Sequence, residues 1–169
     1  LLNLSLLGYV VGAAAGLLIL RRERLANLCA FGCGTLAALT GVISCITALA
    51  GNAASGNGSV ALLPSLVPYV QFTVRQDPLG TFFGLIVSLL GLALSIYSLG
   101  YARGFYGRKN VGVLGAFFNV LLLATTLVFL ADNAFFFLMV WEIMALTAYC
   151  LVSFEHEKEE TRNAGVLYF

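Results

Sequence analysis

Glu142 is the residue of this chain whose position in the sequence is hardest to explain without a chemical role. It lies near the middle of Phe135–Leu146, inside an apolar run long enough to cross a membrane. An ionised side chain at the centre of a membrane-spanning helix costs roughly 2.5–3.5 kcal/mol on insertion scales. Intramembrane carboxyls of this kind usually serve a proton or ion pathway, or a buried ion pair. We therefore take Glu142 as the candidate proton-translocating residue; the alternative is a neutral acid that only hydrogen-bonds a neighbouring helix.

Three further polar residues are candidates for the same pathway. Tyr149 follows Glu142 by seven residues, which places it two turns away on the same helix face. Thr147 and Asn119 are the other polar groups that we expect near this depth, on the same helix and on the preceding one. No Lys, Arg or His lies inside the predicted spans, so Glu142 has no cationic partner among these residues. A cation that switches its protonation would have to come from a later part of the protein or from another subunit.

Other kinds of site find little support in the sequence. Cys29 and Cys33 are one helical turn apart, but no His, Asp or Glu lies near enough in sequence to complete a metal site, so we interpret them as packing residues. The single histidine, His156, lies in a charged loop without the second His of a zinc-protease motif. With no Gly-rich phosphate loop, Ser/His/Asp set or CxxC pair either, we expect no catalytic residue, metal or cofactor in this chain. A net charge of +1 gives no reason to expect a nucleic-acid partner.

The composition predicts a membrane protein. Hydrophobic residues make up 60% of the chain and charged residues 10%, where a soluble domain has about 25% charged residues. Because a span needs about 20 apolar residues and must satisfy its backbone internally, long apolar segments predict helices. Segments of that length occur at 1–20, 25–51, 78–102, 111–131 and 134–154, and another begins near Asn163. We therefore predict an all-α polytopic transmembrane helix bundle with five spans and the start of a sixth, and we expect it to be part of a longer chain.

Basic residues predict the orientation of the bundle. Assigning the loops alternately to two faces places all but one of the nine Lys and Arg residues on the same face. That group consists of Arg21, Arg22, Arg24, Arg103, Arg108, Lys109, Lys158 and Arg162. Only Arg75 falls on the opposite face. Because cytoplasmic loops carry an excess of Lys and Arg, we expect this face to be cytoplasmic and the N-terminus to lie outside.

The connections between the spans carry structural signals. Asp132 and Asn133 form a two-residue turn that makes the fourth and fifth helices antiparallel neighbours, and either residue can cap the fifth helix. The linker at 52–76 combines a flexible turn region with short extended pieces, which we expect on the outer surface.

Glycines recur every four residues on two of the predicted spans. They are Gly8, Gly12 and Gly16 on the first span, and Gly80 and Gly84 on the third. Small residues at this spacing allow helix backbones to approach closely in lipid. We therefore predict close helix–helix contacts along both stripes.

Several sequence motifs together resemble one family of membrane subunits. The turn at 131–133 and the segment Trp141–Tyr149 resemble the fifth-helix signature of the antiporter-like proton-translocating membrane subunits. The segments Arg75–Leu79 and Tyr97–Arg103 resemble the entry to and exit from the family's third helix. That superfamily includes subunits of respiratory complex I, formate hydrogenlyase, hydrogenase-4 and Mrp-type sodium/proton antiporters. Phe105–Lys109 and Asn163–Phe169 bring the resemblance closest to the hydrogenase-4 component B branch.

The resemblance implies a larger fold of about fourteen helices with two inverted five-helix repeats. Residues 1–74 would be two N-terminal transmembrane helices with an external linker, and residues 75–169 the start of the antiporter-like domain. The family's carboxylate on the fifth helix matches Glu142, whereas its partner lysines would lie beyond Phe169. Trp141 stands where many relatives have Phe, and this difference does not change the expected mechanism.

The resemblance also implies a function. We expect a proton-translocating subunit of a redox-driven respiratory complex in the prokaryotic plasma membrane, bound to other membrane subunits and to a cytoplasmic redox module. Fe–S clusters and a Ni–Fe centre or flavin are expected only in those partner subunits. The transported ion would be H⁺, with Na⁺ as an alternative. Two other interpretations stay open: an Mrp-type cation/proton antiporter subunit, and a membrane anchor that does not pump.

Overall fold

Five α-helices and one β-hairpin make up the part of the chain that the computed structural model describes, residues 1–51, 60–63 and 72–155. The helices are α1 (Leu2–Leu18), α2 (Glu23–Ala50), α3 (Pro78–Tyr101), α4 (Val111–Leu130) and α5 (Ala134–Val152). Short 3₁₀ turns, Ala102–Phe105 and Ser153–Glu155, continue α3 and α5. The strands are β1 (Val60–Leu63) and β2 (Phe72–Val74). The predicted all-α polytopic helix bundle is confirmed, and each helix begins and ends within a few residues of its predicted segment. The predicted sixth segment near Asn163 lies outside the described residues, as does His156.

Four of the described helices are long and apolar enough to cross a membrane. They are Glu23–Ala50, Pro78–Phe105 (which includes the 3₁₀ turn), Val111–Leu130 and Ala134–Val152. The first helix is also apolar but has 17 residues, which at 1.5 Å per residue is about 25 Å. It is therefore shorter than the predicted span at 1–20.

Close backbone contacts hold α1, α2, α3 and α4 together. The second helix packs along α1 and α3, and α1 also packs along α4, whereas α5 packs chiefly on α4. A Cβ added at Gly16 would lie 2.6 Å from the carbonyl oxygen of Gly112, and one added at Gly8 would lie 2.8 Å from the Cβ of Ala37. Real Cβ atoms do not fit at such distances, so these positions require glycine, in keeping with the predicted helix–helix role of the first stripe.

The β-hairpin fastens the linker to the turn between α4 and α5. The two strands pair antiparallel, and Val74 forms a further bridge with Ala131. The backbone N–H of Arg75 donates to the carbonyl of Leu130 (2.8 Å), and that of Asp132 donates to the carbonyl of Thr73 (3.0 Å). Extended pieces were predicted at 62–69 of this linker; β1 agrees with the start of that segment, β2 follows it, and residues 52–59 and 64–71 lie outside the described part.

The two ends of the bundle differ in charge. Neighbouring helices are antiparallel: the Ser5 hydroxyl donates to the carbonyl of Ala37, and the Asn27 amide donates to that of Leu99. The start of α2 and the end of α3 therefore share one end of the bundle, and the hairpin lies at the other. Described basic residues at the first end are Arg21, Arg22, Arg24, Arg103, Arg108 and Lys109, and Arg75 lies at the hairpin end. We call the first end the basic end.

Candidate functional site

The candidate site lies on α5, whose start is fixed by Asn133. This residue is the N-cap, and its Oδ1 accepts hydrogen bonds from the backbone N–H of Phe135 (2.9 Å) and of Phe136 (3.4 Å). A side-chain oxygen at this position satisfies amides that have no partner within the helix. The cap fixes where α5 begins, and hence how far along the helix Glu142 lies. Counted from Ala134, Glu142 lies about 12 Å along the helix.

One narrow face of α5 is buried. The buried residues are Phe136, Val140 and Thr147, and Phe136 and Val140 join Leu130 and Val74 in an apolar cluster beneath the hairpin. The rest of the helix is exposed or half-buried in the described bundle. The helix thus has one face packed on α4 and a wide apolar surface directed away from it.

Glu142 lies on the surface directed away from α4. At about 100° per residue, it is roughly 140° around the helix from the centre of the buried face. Its side chain is exposed, and within the described residues it forms no hydrogen bond or ion pair. It is also the only acidic side chain beyond the first turn of any described α-helix, and no Lys, Arg or His lies beyond the first turn of these helices either. A carboxyl in this position can exchange a proton with a group that packs against the open face of α5.

Tyr149 shares the face of Glu142. Seven residues correspond to nearly two full turns, so the two side chains lie about 20° apart around the helix and roughly 10 Å apart along it. Tyr149 is half-buried. Of the three further polar candidates, Tyr149 is the one that the structure places on the Glu142 surface.

Thr147 lies on the opposite, buried face of α5. Its hydroxyl donates to the carbonyl oxygens of Ile143 (2.7 Å) and Met144 (3.0 Å), both on its own helix. A threonine bonded back to the preceding turn has used its donor locally. The structure therefore does not bring Thr147 together with Glu142.

Asn119 lies in the core between α1, α2 and α4. Its side chain is fully buried, and its Nδ2 donates to the carbonyl oxygens of Ala30 on α2 (2.9 Å) and Gly115 on α4 (2.8 Å). A Cβ at Gly12 on α1 would lie 2.7 Å from its Oδ1. These contacts place the amide on the side of α4 that packs against α1 and α2, away from Glu142, where it joins three helices.

Asp132 has a different role from Asn133 in the turn before α5. It makes no cap bond; instead its Oδ1 lies 3.1 Å from Nε of Arg75. Arg75 is half-exposed and Asp132 less so. Of the two predicted cap residues, Asn133 caps the helix, and Asp132 joins the turn to the end of the hairpin.

Several polar residues in the bundle core did not stand out in the sequence. Ser95 and Tyr9 are fully buried, and neither hydroxyl has a hydrogen-bond partner among the described residues. The buried amide of Asn27 donates to the hydroxyl of Tyr106 (2.7 Å). The sequence offered one signal for Ser95, its position: it lies four residues from Gly91, in a helix whose buried residues are all Gly, Ser or Thr.

In the described residues, no three His, Cys, Asp or Glu side chains come together as metal ligands would.

Comparison with known proteins finds a hydrogenase-4 component, a sodium/proton antiporter subunit and an uncharacterised protein among the relatives of this chain. Hydrogenase-4 component B of Escherichia coli (strain K12) is 34% identical over 172 residues, which cover this whole chain. The Na(+)/H(+) antiporter subunit A1 of Staphylococcus aureus (strain JH9) is 31% identical over 93 residues, which cover 53% of this chain and 11% of the relative. An uncharacterised protein of Mycobacterium tuberculosis is 31% identical over 104 residues, or 61% of this chain.

This chain spans 24% of the length of the Escherichia coli relative. No family model matches this chain.

Proposed function

Because this chain belongs to the superfamily of antiporter-like membrane subunits, we propose that it forms part of a subunit that moves protons across a prokaryotic plasma membrane. The observation that carries the proposal is the position of Glu142. It is a carboxyl about 12 Å into α5 that has no partner among the described residues, on the face that the described helices leave uncovered. An ionisable group at that depth is costly and indicates a proton or ion path.

In this proposal Glu142 takes up and releases a proton as a cation on a facing element moves towards or away from it. A nearby positive charge favours the carboxylate, and its withdrawal in an apolar surrounding favours the neutral acid. Tyr149, two turns nearer the basic end, can donate its hydroxyl to the path along the same face. A lysine is the cation that the family resemblance implies, carried by another part of the subunit.

The hydrogenase-4 type is the form of this function that we favour, because the match to that relative covers the whole chain. Proton movement would then be coupled to electron transfer in a cytoplasmic module bound to this and other membrane subunits. Fe–S clusters and a Ni–Fe centre or flavin would reside in those partners. The basic end of the bundle would face the cytoplasm, because Lys and Arg are retained on that side, and the N-terminus would lie outside.

A cation/proton antiporter subunit is the second candidate. It is supported by the match of 93 residues to a sodium/proton antiporter subunit. Glu142 would exchange a proton there in the same way, with proton movement coupled to Na⁺ movement in the opposite direction in place of electron transfer. A membrane anchor that does not pump is the third candidate, and in that case Glu142 would have no role in transport.

Purification of the full-length protein from its native membranes distinguishes these functions. For the favoured function, a tag on the subunit should recover redox-active subunits with Fe–S absorbance, and the reconstituted complex should acidify vesicles when electron donor and acceptor are added. Recovery without redox subunits, combined with Na⁺-driven proton exchange, would support the antiporter. A fully assembled complex that shows neither redox-driven acidification nor Na⁺-driven proton exchange would contradict both transport functions.

A further inference from the structure

A cleft at the basic end of the bundle has the composition of a binding site. It lies between the start of α2 and the end of α3, has a volume of about 510 Å³, and is open to the surroundings. Its lining residues are Arg24, Asn27, Leu28, Leu99, Arg103 and Tyr106. Ligand sites commonly occupy 300–1,000 Å³. The cleft is separate from Glu142, which lies on α5.

The two arginines of the cleft have no partner among the residues that the structure describes. Arg24 and Arg103 are exposed, and neither makes a hydrogen bond or ion pair with any described residue. The acid nearest in sequence, Glu23, has its carboxylate occupied by the backbone N–H of Gly107 (2.8 Å). Two guanidinium groups, on α2 and on the turn after α3, therefore face one cleft without a counter-charge from the described residues. Guanidinium groups bind phosphate oxygens through paired, charge-assisted hydrogen bonds.

The cleft also has an apolar level, one helical turn nearer the middle of the bundle. Leu28 lies four residues after Arg24 on α2, and Leu99 lies four residues before Arg103. Because α2 and α3 are antiparallel, each arginine lies at the end of the bundle and each leucine lies on its inner side. Leu28 is 62% exposed, which leaves an apolar surface open directly beneath the charges. A ligand that complements both levels carries an anionic head and an apolar chain.

The floor of the cleft is formed by a buried amide. Asn27 is buried and holds the two walls together, since its Nδ2 donates to the carbonyl of Leu99 (3.1 Å) and to the hydroxyl of Tyr106 (2.7 Å). Its Oδ1 has no hydrogen-bond partner among the described residues. This oxygen is itself buried, so the amide serves to hold the walls together and does not face a ligand.

From this geometry we propose that the cleft binds the phosphate of an anionic phospholipid, with Arg24 and Arg103 on the phosphate and Leu28 and Leu99 along an acyl chain. Basic pockets between transmembrane helices bind anionic headgroups in this way. Phosphatidylglycerol represents this class in the test, because it carries a single phosphate and acyl chains. The bound lipid would join the start of α2 to the end of α3 at the membrane surface.

Native mass spectrometry of the full-length protein in detergent tests this site, with phosphatidylglycerol, phosphatidylcholine and inorganic phosphate as the probes. The wild-type protein should retain phosphatidylglycerol in preference to phosphatidylcholine. Replacing both arginines (Arg24→Gln with Arg103→Gln) should weaken phosphatidylglycerol binding roughly tenfold or more, since two charge-assisted bonds are lost. The control pair Arg21→Gln with Arg108→Gln removes the same charge from the same end outside this cleft. Phosphatidylglycerol binding by this control pair should stay within about twofold of the wild type, because exposed charges outside a contact contribute little.

Two outcomes would overturn the proposal. Equal weakening by the arginine pair and by the control pair would mean that the basic end attracts anions without a site. Displacement of phosphatidylglycerol by inorganic phosphate at equal concentration, with no effect of Leu28→Asn, would mean that the cleft takes a free anion and not a lipid. Because Leu28 is exposed, Leu28→Asn should fold normally, and the proposal predicts that it weakens lipid retention without changing phosphate binding.

Discussion

The side-chain amide of Asn119 on α4 donates to the backbone carbonyl of Ala30 on α2 over 2.9 Å, in the fully buried centre of the bundle. Gly12 and Gly34 leave the room that its Oδ1 occupies. The contact joins two helices that are not consecutive in the chain. It also separates Asn119 from Glu142, although both are polar groups inside apolar helices.

Replacement of Asn119 should therefore affect stability and leave proton movement intact. Asn119→Leu keeps the approximate shape of the side chain and removes both hydrogen bonds, which should lower the free energy of unfolding by about 1–2 kcal/mol. Asn119→Ala should cost more, because it also leaves a cavity. Thermal unfolding in detergent measures the loss, and proton translocation per folded molecule should equal that of the wild type. A translocation defect in fully folded Asn119→Leu would return this residue to the proton path.

Close contact between α1 and α4 should depend on Gly16. In Gly16→Ala the new methyl group would meet the carbonyl of Gly112 at 2.6 Å, so the helices must separate, at a cost of about 1–3 kcal/mol. Gly32→Ala is the matched control, because a Cβ at Gly32 meets nothing within 4 Å. The midpoint of thermal unfolding should fall for the first variant only. Equal midpoints would show that α1 and α4 do not pack this closely.

The start of α5 should depend on the side-chain oxygen of Asn133. Asn133→Ala removes the acceptor for the amides of Phe135 and Phe136 and should cost about 1 kcal/mol, whereas Asn133→Asp retains an acceptor. Hydrogen exchange at these two amides should accelerate in the alanine variant and stay close to wild type in the aspartate variant. Unchanged protection in Asn133→Ala would mean that other groups fix the turn.

The ion pair between Arg75 and Asp132 should contribute little energy. The arginine side chain is 52% exposed, and exposed pairs are typically worth 0–1 kcal/mol. A double-mutant cycle with Arg75→Gln and Asp132→Asn should give a coupling free energy of less than about 1 kcal/mol that falls as salt is added. A larger coupling that salt does not reduce would indicate a desolvated pair with a role beyond holding the hairpin.

Much of this architecture follows from the sequence, since apolar runs of sufficient length determine where helices begin and end. Their faces were harder to predict. On α5 almost every residue is apolar, so nothing in the pattern distinguishes the buried side of Phe136 and Val140 from the open side of Glu142. The placement of Asn119 was hard to predict for a related reason: its depth was inferred from its position along a helix, but the side of the helix that is buried depends on tertiary packing. The glycines Gly112 and Gly115, seven and four residues before it, mark the same face and could have indicated that it is buried.

The ion pair between Arg75 and Asp132 could not be predicted from the sequence either. The two residues are far apart in the chain and meet only where the hairpin contacts the α4–α5 turn. The signals that could be used were local: a turn residue able to cap, small residues at helical spacing, and charges outside the spans.

Proton translocation by a Glu142→Gln variant of the full-length protein, in its assembled complex in sealed vesicles, tests the central claim most directly. Met139→Gln is the matched control, because it places the same amide one turn away on the same open side of α5. We predict that Glu142→Gln abolishes vesicle acidification while electron transfer stays measurable, and that Met139→Gln retains both. Undiminished acidification by fully assembled Glu142→Gln would contradict the assignment of this carboxyl to the proton path.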